Sequence, residues 1–438
     1  MPASSSNKPR RPAMTDSVLS AAWAALAADG ALQRDFAALC DFGGRRAGTD
    51  SEQAALKFAL ARLGAIDPAA TSEQVAYAGW RCSAATLALA DGTPLACNAL
   101  LGSASTPAAG LSLEVIDLGR GAPEDFAQHT AAIAGRCVLV RHEYPFSATH
   151  VHRRRKYGWA MERGAAAFII ANPQSGGGPL SGSSGRGGAA GIPAVATDFA
   201  AAARLAALSG TGARVQLHVA GEDYAAQTGV VILDLPGQTA GRVALTAHVD
   251  GHDLAESAMD NATGVAVVLA VARAFAPLVA NCRRGVTICL FSAEEWALAG
   301  SREYLDRMPP AKRAAIALNI NLDTVGGDTQ LTALTSEYPR LETFVRDTAS
   351  AAGIAVGTYA PLMGNSDHYN FARHGIPALR LVAGFDRPDC NIRHILTPGD
   401  TRDKVAPDEL ATAARLSAAL LARALTARDD ELAALKQK

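Results

Sequence analysis

The sequence predicts an α/β protein in which a three-layer domain, built on a mostly parallel or mixed sheet, carries an inserted and mainly β domain. Two observations support this fold class. In the last part of the chain, apolar segments that read as buried strands alternate with helical segments, which is typical of a parallel sheet covered on both faces. The middle part instead has short strand-like segments between glycine-rich loops.

These changes in pattern divide the 438 residues into four segments. Residues 1–13 read as a disordered tail, 14–74 as the N-terminal part of the three-layer domain, 75–225 as the inserted domain, and 226–438 as the rest of the first domain. In the last segment we expect strands and helices at 243–247, 264–275, 286–291, 316–322, 378–383 and 407–427. Residues 175–188 read as a flexible surface loop, since they lack the ending of a phosphate-binding loop.

Composition excludes several classes of protein. The net charge is −1, with 19% charged and 49% hydrophobic residues, as in an ordinary soluble protein, so nucleic acid is not expected as a partner. No signal peptide or membrane span is evident. The seven cysteines have no CxxC spacing, which favours free thiols in a reducing compartment. We therefore expect a cytoplasmic protein, and a homodimer is expected only because dimers are common.

Polar side chains that can bind a metal follow three predicted strands and precede one helix: His248 and Asp250, Glu294 and Glu295, Asp323, and Asp260. Each residue alone has a simpler explanation, such as a surface position or a helix cap. However, ligands bind beyond the carboxyl ends of parallel strands, where these groups would meet. Buried carboxylates so close together repel one another unless a cation neutralises them. The sequence therefore predicts a metal site at this edge of the sheet.

The mixture of imidazole and carboxylates is typical of zinc, with Mn²⁺ or Co²⁺ as substitutes. In a two-metal site, one carboxylate bridges ions that lie about 3.5–4 Å apart. Three carboxylates leave one positive charge on two divalent ions, which a bridging hydroxide would balance. Such a hydroxide would be the nucleophile of a hydrolase.

These residues lie in a series of motifs that resembles peptidase family M28, the zinc aminopeptidases with glutamate carboxypeptidase-like relatives. In chain order the motifs are FGGRRAGT (42–49), HVD (248–250), AMDNATG (258–264), EEWALAGS (294–301), NLD (321–323), SDHYNF (366–371) and TPGDT (397–401). The inserted region resembles a protease-associated (PA) domain, for which we expect a role as lid or partner surface. The resemblance implies an exopeptidase, in the first place an aminopeptidase, that hydrolyses short peptides or related amides with two Zn²⁺ per chain.

The resemblance also implies a role for each residue. Asp260 would bridge the two ions, His248 and Asp323 would complete one site, and Glu295 would bind the other ion. Glu294 would be the general base that takes a proton from the bridging water. Asp250 would hydrogen-bond the far nitrogen of His248 and so fix its tautomer.

One position departs from the family pattern. The histidine that should stand directly before TPGDT is replaced by Leu396, and the nearest histidine is His394. A small bulge would bring His394 to the metal. Alternatively, His368 would bind the metal or line the substrate pocket, or the second site would lack its histidine. His252, beside the first ligand pair, reads equally well as a supporting group or as a solvated one.

Three readings of the function remain open. Besides the aminopeptidase, the same metal site suits a carboxypeptidase or another amidase, which would need a cationic group for a terminal carboxylate. Arg393 is the candidate for that group. A non-catalytic binding protein with an incomplete second metal site is the third reading. The basic run at 150–156 is expected to be a solvated helix face, with an acidic partner or substrate as the alternative.

Overall fold

The computed structural model describes residues 14–186 and 191–437. The predicted tail and the last residues of the predicted 175–188 loop lie outside these ranges. The strands form a mixed sheet, and helices pack against it, which confirms the predicted fold class.

The described residues form the following strands: β1 (Thr71–Leu89), β2 (Pro94–Leu95), β3 (Cys97–Ala99), β4 (Leu111–Asp117), β5 (Cys137–Arg141), β6 (Ala167–Ala171), β7 (Ala194–Thr197), β8 (Arg214–Leu235), β9 (Arg242–His248), β10 (Gly285–Phe291), β11 (Ile316–Leu322), β12 (Leu331–Leu334), β13 (Gly357–Tyr359) and β14 (Ala378–Ala383).

They form the following α-helices: α1 (Met14–Ala28), α2 (Ala31–Asp41), α3 (Asp50–Gly64), α4 (Pro123–Gln128), α5 (Thr130–Ile133), α6 (Arg153–Glu162), α7 (Phe199–Leu208), α8 (Thr263–Phe275), α9 (Ala299–Arg307), α10 (Pro310–Ala315), α11 (Pro339–Ala351), α12 (His368–Arg373), α13 (Pro407–Thr426) and α14 (Asp429–Ala434). A π-helical turn, Ala258–Ala262, leads directly into α8.

The strand order is β13-β12-β14-β11-β9-β10-β8-β4-β5-β6-β7-β3. At its centre β9 pairs in parallel with both β10 and β11. The register sets Phe291 opposite His248 and Asn321 opposite Thr246. As a consequence, the residues that follow these three strands emerge at the same level of one sheet edge.

An antiparallel ribbon of β1 and β8 joins the two halves of the molecule. It extends from the pair Thr71–Ile232 to the pair Leu89–Val215, with a register shift between Cys82 and Ala84. One end of β8 also pairs with β10, and the other end pairs with β4. The expected domain boundaries at 75 and 225 fall within this ribbon, so continuous strands connect the two domains.

The three-layer domain is held together by helices α8 and α13, which pack against the central strands. Every residue of α8 is buried except Arg273, in agreement with the apolar sequence of that helix. Among the described residues, the stretch Ala258–Phe275 is long and apolar enough to cross a membrane, but 89% of it is buried inside the protein. It is therefore a core helix of this domain.

The inserted domain forms one end of this continuous sheet. Strands β4, β5, β6 and β7 are parallel to one another, and β3 pairs antiparallel with β7. Apolar clusters cover both faces of this end of the sheet, and one of them includes Trp296 and Ala299 of the three-layer domain. The two domains therefore pack directly on one another.

Candidate active site

The carboxyl ends of β9 and β11 bring three metal-binding groups together. Nε2 of His248 lies 3.2 Å from Oδ1 of Asp260 and 3.5 Å from Oδ1 of Asp323. One ligand atom from each residue lies within 4.8 Å of the other two. His248 and Asp323 are buried and Asp260 is nearly so. Such a spacing of an imidazole nitrogen and two carboxylate oxygens fits a single divalent cation.

The orientation of His248 is set by Asp250. Nδ1 of His248 lies 3.0 Å from the backbone oxygen of Asp250 and 3.6 Å from its Oδ1. The backbone oxygen, rather than the carboxylate expected from the sequence, is therefore the nearer acceptor. The carboxylate accepts hydrogen bonds from the backbone N–H groups of Glu294 (3.1 Å) and Glu295 (3.2 Å). Asp250 thus links the histidine to the segment that carries both glutamates.

The loop that carries Asp260 is fixed from two sides. Asn261 accepts a hydrogen bond from the N–H of Thr324 (3.2 Å) and donates one to the oxygen of Leu322 (2.9 Å), which connects the loop to the end of β11. Asp400 accepts hydrogen bonds from the N–H groups of Met259 (2.7 Å) and Asp260 (3.4 Å). These contacts position Asp260 without using its own carboxylate, which stays available to a metal.

Burial dominates the electrostatics of the two glutamates. Burial, with the neighbouring carboxylates, raises the pKa of Glu294 well above its ordinary value, although His248 opposes the shift. Burial and the charge of Asp260 raise the pKa of Glu295 to about 8. Oε1 of Glu295 is buried and has no hydrogen-bond partner among the described residues. A bound cation would stabilise the ionised form of these two carboxyl groups.

Asp323 has a second partner, Arg380, which sequence reasoning missed. The guanidinium Nη2 lies 3.1 Å from Oδ2 of Asp323, and both side chains are buried. Burial would raise the pKa of Asp323, but Arg380 and His248 outweigh it and lower the pKa. One oxygen of Asp323 thus faces Arg380 while the other faces His248. Arg380 lies inside strand β14, and no spacing in the sequence connects it with Asp323.

A cavity with a free interior of about 70 Å³, partly open to solvent, lies over these groups. The three-layer domain lines it with Asp260, Glu294, Glu295, Asp323, Asn365, Arg380, Ile395 and Leu396. The inserted domain lines it with His142, Pro145, Phe146, His150, His152, Arg153, Arg154 and Ser183. The site is therefore formed between the two domains.

The prediction of a solvated helix face at 150–156 is wrong for most of this run. Arg153 and Lys156 are buried, and Arg154 is largely so, while Arg155 is exposed. The run starts helix α6, which turns Arg153 and Arg154 toward the cavity. Lys156 instead donates to the oxygens of Arg120 (2.7 Å) and Arg141 (2.9 Å) within the inserted domain.

The prediction of a surface loop at 175–188 fails for the middle of this segment, although Ser175, Gly176 and Gly185 are exposed. Leu180, Ser181 and Ser184 are buried, and the N–H of Ser181 donates to the oxygen of Leu396 at 2.8 Å. The glycine-rich composition indicated a loop, but it gave no sign that the loop contacts the three-layer domain.

Of the residues proposed from the sequence, Asp260, Glu294, Glu295 and Asp323 line the cavity, while His248, Asp250, His368, Arg393 and His394 are not part of its lining. His368 is fully buried at the start of α12. Arg393 is exposed, and its guanidinium donates to the backbone oxygen of Asp389. The pKa of His394 is lowered by burial and by Arg393 and Lys404, with Asp400 and Asp403 opposing the shift. Leu396, with a positive φ of 61°, occupies the cavity wall instead.

His252 lies among the carboxylates of the site. It is fully buried, Nε2 lies 3.7 Å from Oδ2 of Asp400, and neither ring nitrogen has a hydrogen-bond partner within the described chain. Burial lowers the pKa of His252, but Asp400, Glu295 and Asp260 outweigh it and raise the pKa. An imidazole with two unpartnered nitrogens among carboxylates has the chemistry of a metal ligand.

Comparison with known proteins agrees with this geometry. Residues 230–421 match the sequence profile of peptidase family M28, and residues 85–205 match that of the PA domain. The chain is 30% identical over 276 residues to "Probable lipoprotein aminopeptidase LpqL" of Mycobacterium tuberculosis, covering 58% of this chain and 52% of that protein. It is 25% identical over 188 residues to aminopeptidase YwaD of Bacillus subtilis, covering 42% of this chain and 41% of YwaD.

Among solved structures, the zinc aminopeptidase BSAP from Bacillus subtilis superposes with a TM-score of 0.70 at 22% identity, covering 93% of this chain and 95% of BSAP. This likeness extends over both domains and shows the fold. The chain spans about half the length or less of the curated relatives it matches.

Proposed function

Since the chain belongs to peptidase family M28 and carries a PA domain, we propose that it is a metal-dependent aminopeptidase acting on short peptides or closely related amides. One observation carries the proposal: an imidazole nitrogen and two carboxylate oxygens converge beside a cavity lined by Glu294 and by Glu295, whose Oε1 is buried without a hydrogen-bond partner among the described residues. The names of LpqL and YwaD as aminopeptidases support the choice of reaction.

A divalent ion bound at these groups would polarise the scissile carbonyl and lower the pKa of a water molecule. Side chains of the protein would supply the proton transfer and the positioning of the reacting groups. Glu294 faces the cavity, and its raised pKa suits a group that takes a proton from the attacking water and returns it to the leaving amine. Asp250 holds the backbone of Glu294 and Glu295, so their carboxyl groups stay in place during the reaction.

We propose two zinc ions per chain. His248, Asp260 and Asp323 would hold the first ion. Asp260 and Glu295 would hold the second, and His252 is the imidazole whose position supports a part in this site. His252 takes precedence over His394 here because it is fully buried and has Glu295 and Asp260 among its charged neighbours, whereas the charged groups that act on His394 are Arg393, Lys404, Asp400 and Asp403.

The cavity itself supports a small substrate. Its free interior is only about 70 Å³, which favours a short peptide over a long one. Phe146, Ile395 and Leu396 give it an apolar wall, which suits an uncharged side chain. We retain a cytoplasmic location, the absence of nucleic-acid and membrane partners, and a homodimer as proposals from the sequence. The seven cysteines are free thiols, in keeping with a reducing compartment.

The proposal is tested by comparing wild type with Glu294→Gln. Both proteins are assayed for zinc content and for hydrolysis of alanine and leucine p-nitroanilides. We expect the variant to keep its metal and to lose at least about 100-fold in kcat, as expected for removal of a general base. Full activity in the variant would refute the role of Glu294, and a metal-loaded wild type that hydrolyses no substrate would refute the aminopeptidase.

A further inference from the structure

The wall of the cavity contributed by the PA domain is cationic. Arg153 and Arg154 line it, and both belong to the first turn of α6. Arg153 is only 5% exposed, and Nε of Arg154 is buried without a hydrogen-bond partner in residues 14–186 and 191–437. Buried guanidinium groups are costly unless an anion pairs with them.

No described carboxylate lies within 4.0 Å of either guanidinium, since neither residue takes part in an ion pair. Arg154 is nonetheless close enough to Glu294 and Glu295 for their charges to raise its pKa against the lowering effect of burial. The cavity therefore lies between these arginines and the glutamates, and no salt bridge joins them. An anion in that space would meet both guanidinium groups.

The arginines are held in place by the protein rather than by a ligand. Nε of Arg153 donates to the oxygen of Ser183 at 2.8 Å. A Cβ atom at Gly182 would lie 2.2 Å from Nη2 of Arg153, and one at Gly185 would lie 2.5 Å from Cγ of Arg154. Both glycines have positive φ, so the loop adopts a conformation that lets it press against the two side chains. This is a preorganised site, in which little ordering is left for binding to achieve.

The charge balance of the cavity favours an anionic guest. Four carboxylates line it, together with three arginines: Arg153, Arg154 and Arg380. A single bound divalent cation makes the total charge of these groups positive, and a second makes it more so. The three histidines of the PA wall add no negative charge. A peptide whose scissile bond sits at the metal would thus place its far end against a cationic surface.

We propose that Arg153 and Arg154 bind a carboxylate group of the substrate, located on the residue that follows the scissile bond. This inference rests on the proposed peptidase function and adds the substrate class: dipeptides and other very short peptides with a free C-terminal carboxylate. Guanidinium groups suit this task because they donate paired hydrogen bonds to a carboxylate. The PA domain then selects substrates as part of the site.

The test compares kcat/KM for Ala-Leu and Ala-Leu-amide, which differ only in the terminal carboxylate. We expect a preference for the free acid of about 10-fold or more, the size expected of a charge-assisted hydrogen bond. In Arg154→Gln the ratio of free acid to amide should fall by a similar factor, and Arg154→Lys should restore part of it. Arg155→Gln is the matched control, since Arg155 lies next in the same helix but is exposed, and its ratio should equal that of wild type.

Ala-Asp-amide distinguishes the source of the carboxylate. If it is preferred over Ala-Leu-amide while the free acid of Ala-Leu has no advantage, the arginines recognise an acidic side chain, and the proposal of a terminal carboxylate is overturned. Equal rates for all three peptides, with alanine p-nitroanilide still hydrolysed, would overturn carboxylate recognition and leave the peptidase intact.

Binding gives a readout that needs no turnover. Calorimetry on the zinc-loaded protein should show L-leucine binding about 10-fold more tightly than L-leucinamide, and Arg154→Gln should remove the difference. If the protein hydrolyses nothing but retains this difference, the proposed function fails and the anion site stands. Equal affinities for the two ligands in wild type would overturn the site.

Discussion

Asp250 accepts hydrogen bonds from the backbone N–H of Glu294 at 3.1 Å and, through its other oxygen, from that of Glu295. The same residue places its backbone oxygen 3.0 Å from Nδ1 of His248. A single aspartate therefore supports the proposed general base and two of the proposed metal ligands, although it does not itself face the cavity.

Replacing Asp250 should impair both metal binding and catalysis. Asp250→Ala removes the two carboxylate oxygens that accept from the N–H groups of Glu294 and Glu295. We expect zinc affinity or kcat to fall about 10- to 100-fold, as for other groups that orient metal ligands. Zinc titration and p-nitroanilide hydrolysis measure the two effects. Asp253→Ala is the control, because Asp253 lies on the same loop but pairs at the surface with Arg46. Equal behaviour of the two variants would contradict the role of Asp250.

The identity of the missing histidine can be decided by metal content. We expect His252→Ala to lower zinc from about two ions per chain toward one, because His252 is buried among Asp400, Asp260 and Glu295. His394→Ala should leave the content unchanged, because the charged groups around His394 are Arg393, Lys404, Asp400 and Asp403 rather than Asp260 and Glu295. Elemental analysis of the purified proteins measures both. Loss of zinc in His394→Ala alone would restore the prediction made from the sequence.

Arg45 should be essential for stability. It is fully buried, and its guanidinium donates to five backbone oxygens, including those of Val249 (2.8 Å) and Ser257 (2.8 Å), on either side of the metal-binding loop. Arg45→Lys cannot satisfy all five acceptors, so the free energy of unfolding should fall by about 3 kcal/mol. Urea denaturation measures this change.

Arg46→Lys is the matched control for that experiment. Arg46 stands next in the chain and forms a partly exposed ion pair with Asp253, at 2.9 Å. Such pairs contribute about 0–1 kcal/mol, so the free energy of unfolding should change little. A similar loss in both variants would show that the buried hydrogen bonds of Arg45 are not the cause.

Acid should destabilise the protein through the histidines of the PA wall. Burial lowers the pKa of His150 to about 4, with Lys156 and Arg153 adding to the effect and Glu143 opposing it. Because the pKa of an unfolded histidine is about 6.5, the unfolded chain binds a proton that the folded protein does not bind between these values. Stability is therefore fully present above pH ~6.5 and is lost as the pH falls toward 4.

The contribution of His150 is measured by comparing wild type with His150→Gln at pH 7.5 and pH 5.0. We expect wild type to lose about 2 kcal/mol more of its unfolding free energy than the variant over this interval. His129→Gln, at an exposed position, is the control and should behave as wild type does. Identical pH profiles of wild type and His150→Gln would exclude a neutral, buried His150.

The sequence predicted the three-layer domain well, because its strands carry a local signal. Strands β11 and β14 have the predicted bounds, and the helix predicted at 407–427 is α13. The long ribbon of β1 and β8 was not predicted. Its residues alternate between exposed and buried positions along part of its length only, and its pairing joins residues far apart in the chain.

The proximity of His248 and Asp323 could be predicted because they stand at the end of β9 and directly after β11, two strands whose ends meet at one edge. The wall of the cavity that the PA domain contributes could not be predicted. Arg153 and Arg154 lie in a basic run that normally faces water, and only the docking of the PA domain places them at the site. Likewise, no motif connects Arg380 with Asp323, or His252 with Asp400, because their proximity depends on tertiary packing.

The most direct test of the metal-dependent peptidase is the removal and return of the metal. Wild-type protein is treated with a chelator, dialysed, and assayed with leucine p-nitroanilide while zinc is added in steps. We predict that hydrolysis disappears with the metal and returns as zinc is restored, reaching its maximum near two ions per chain. Full hydrolysis by the metal-free protein, or none after complete reloading, would contradict the account.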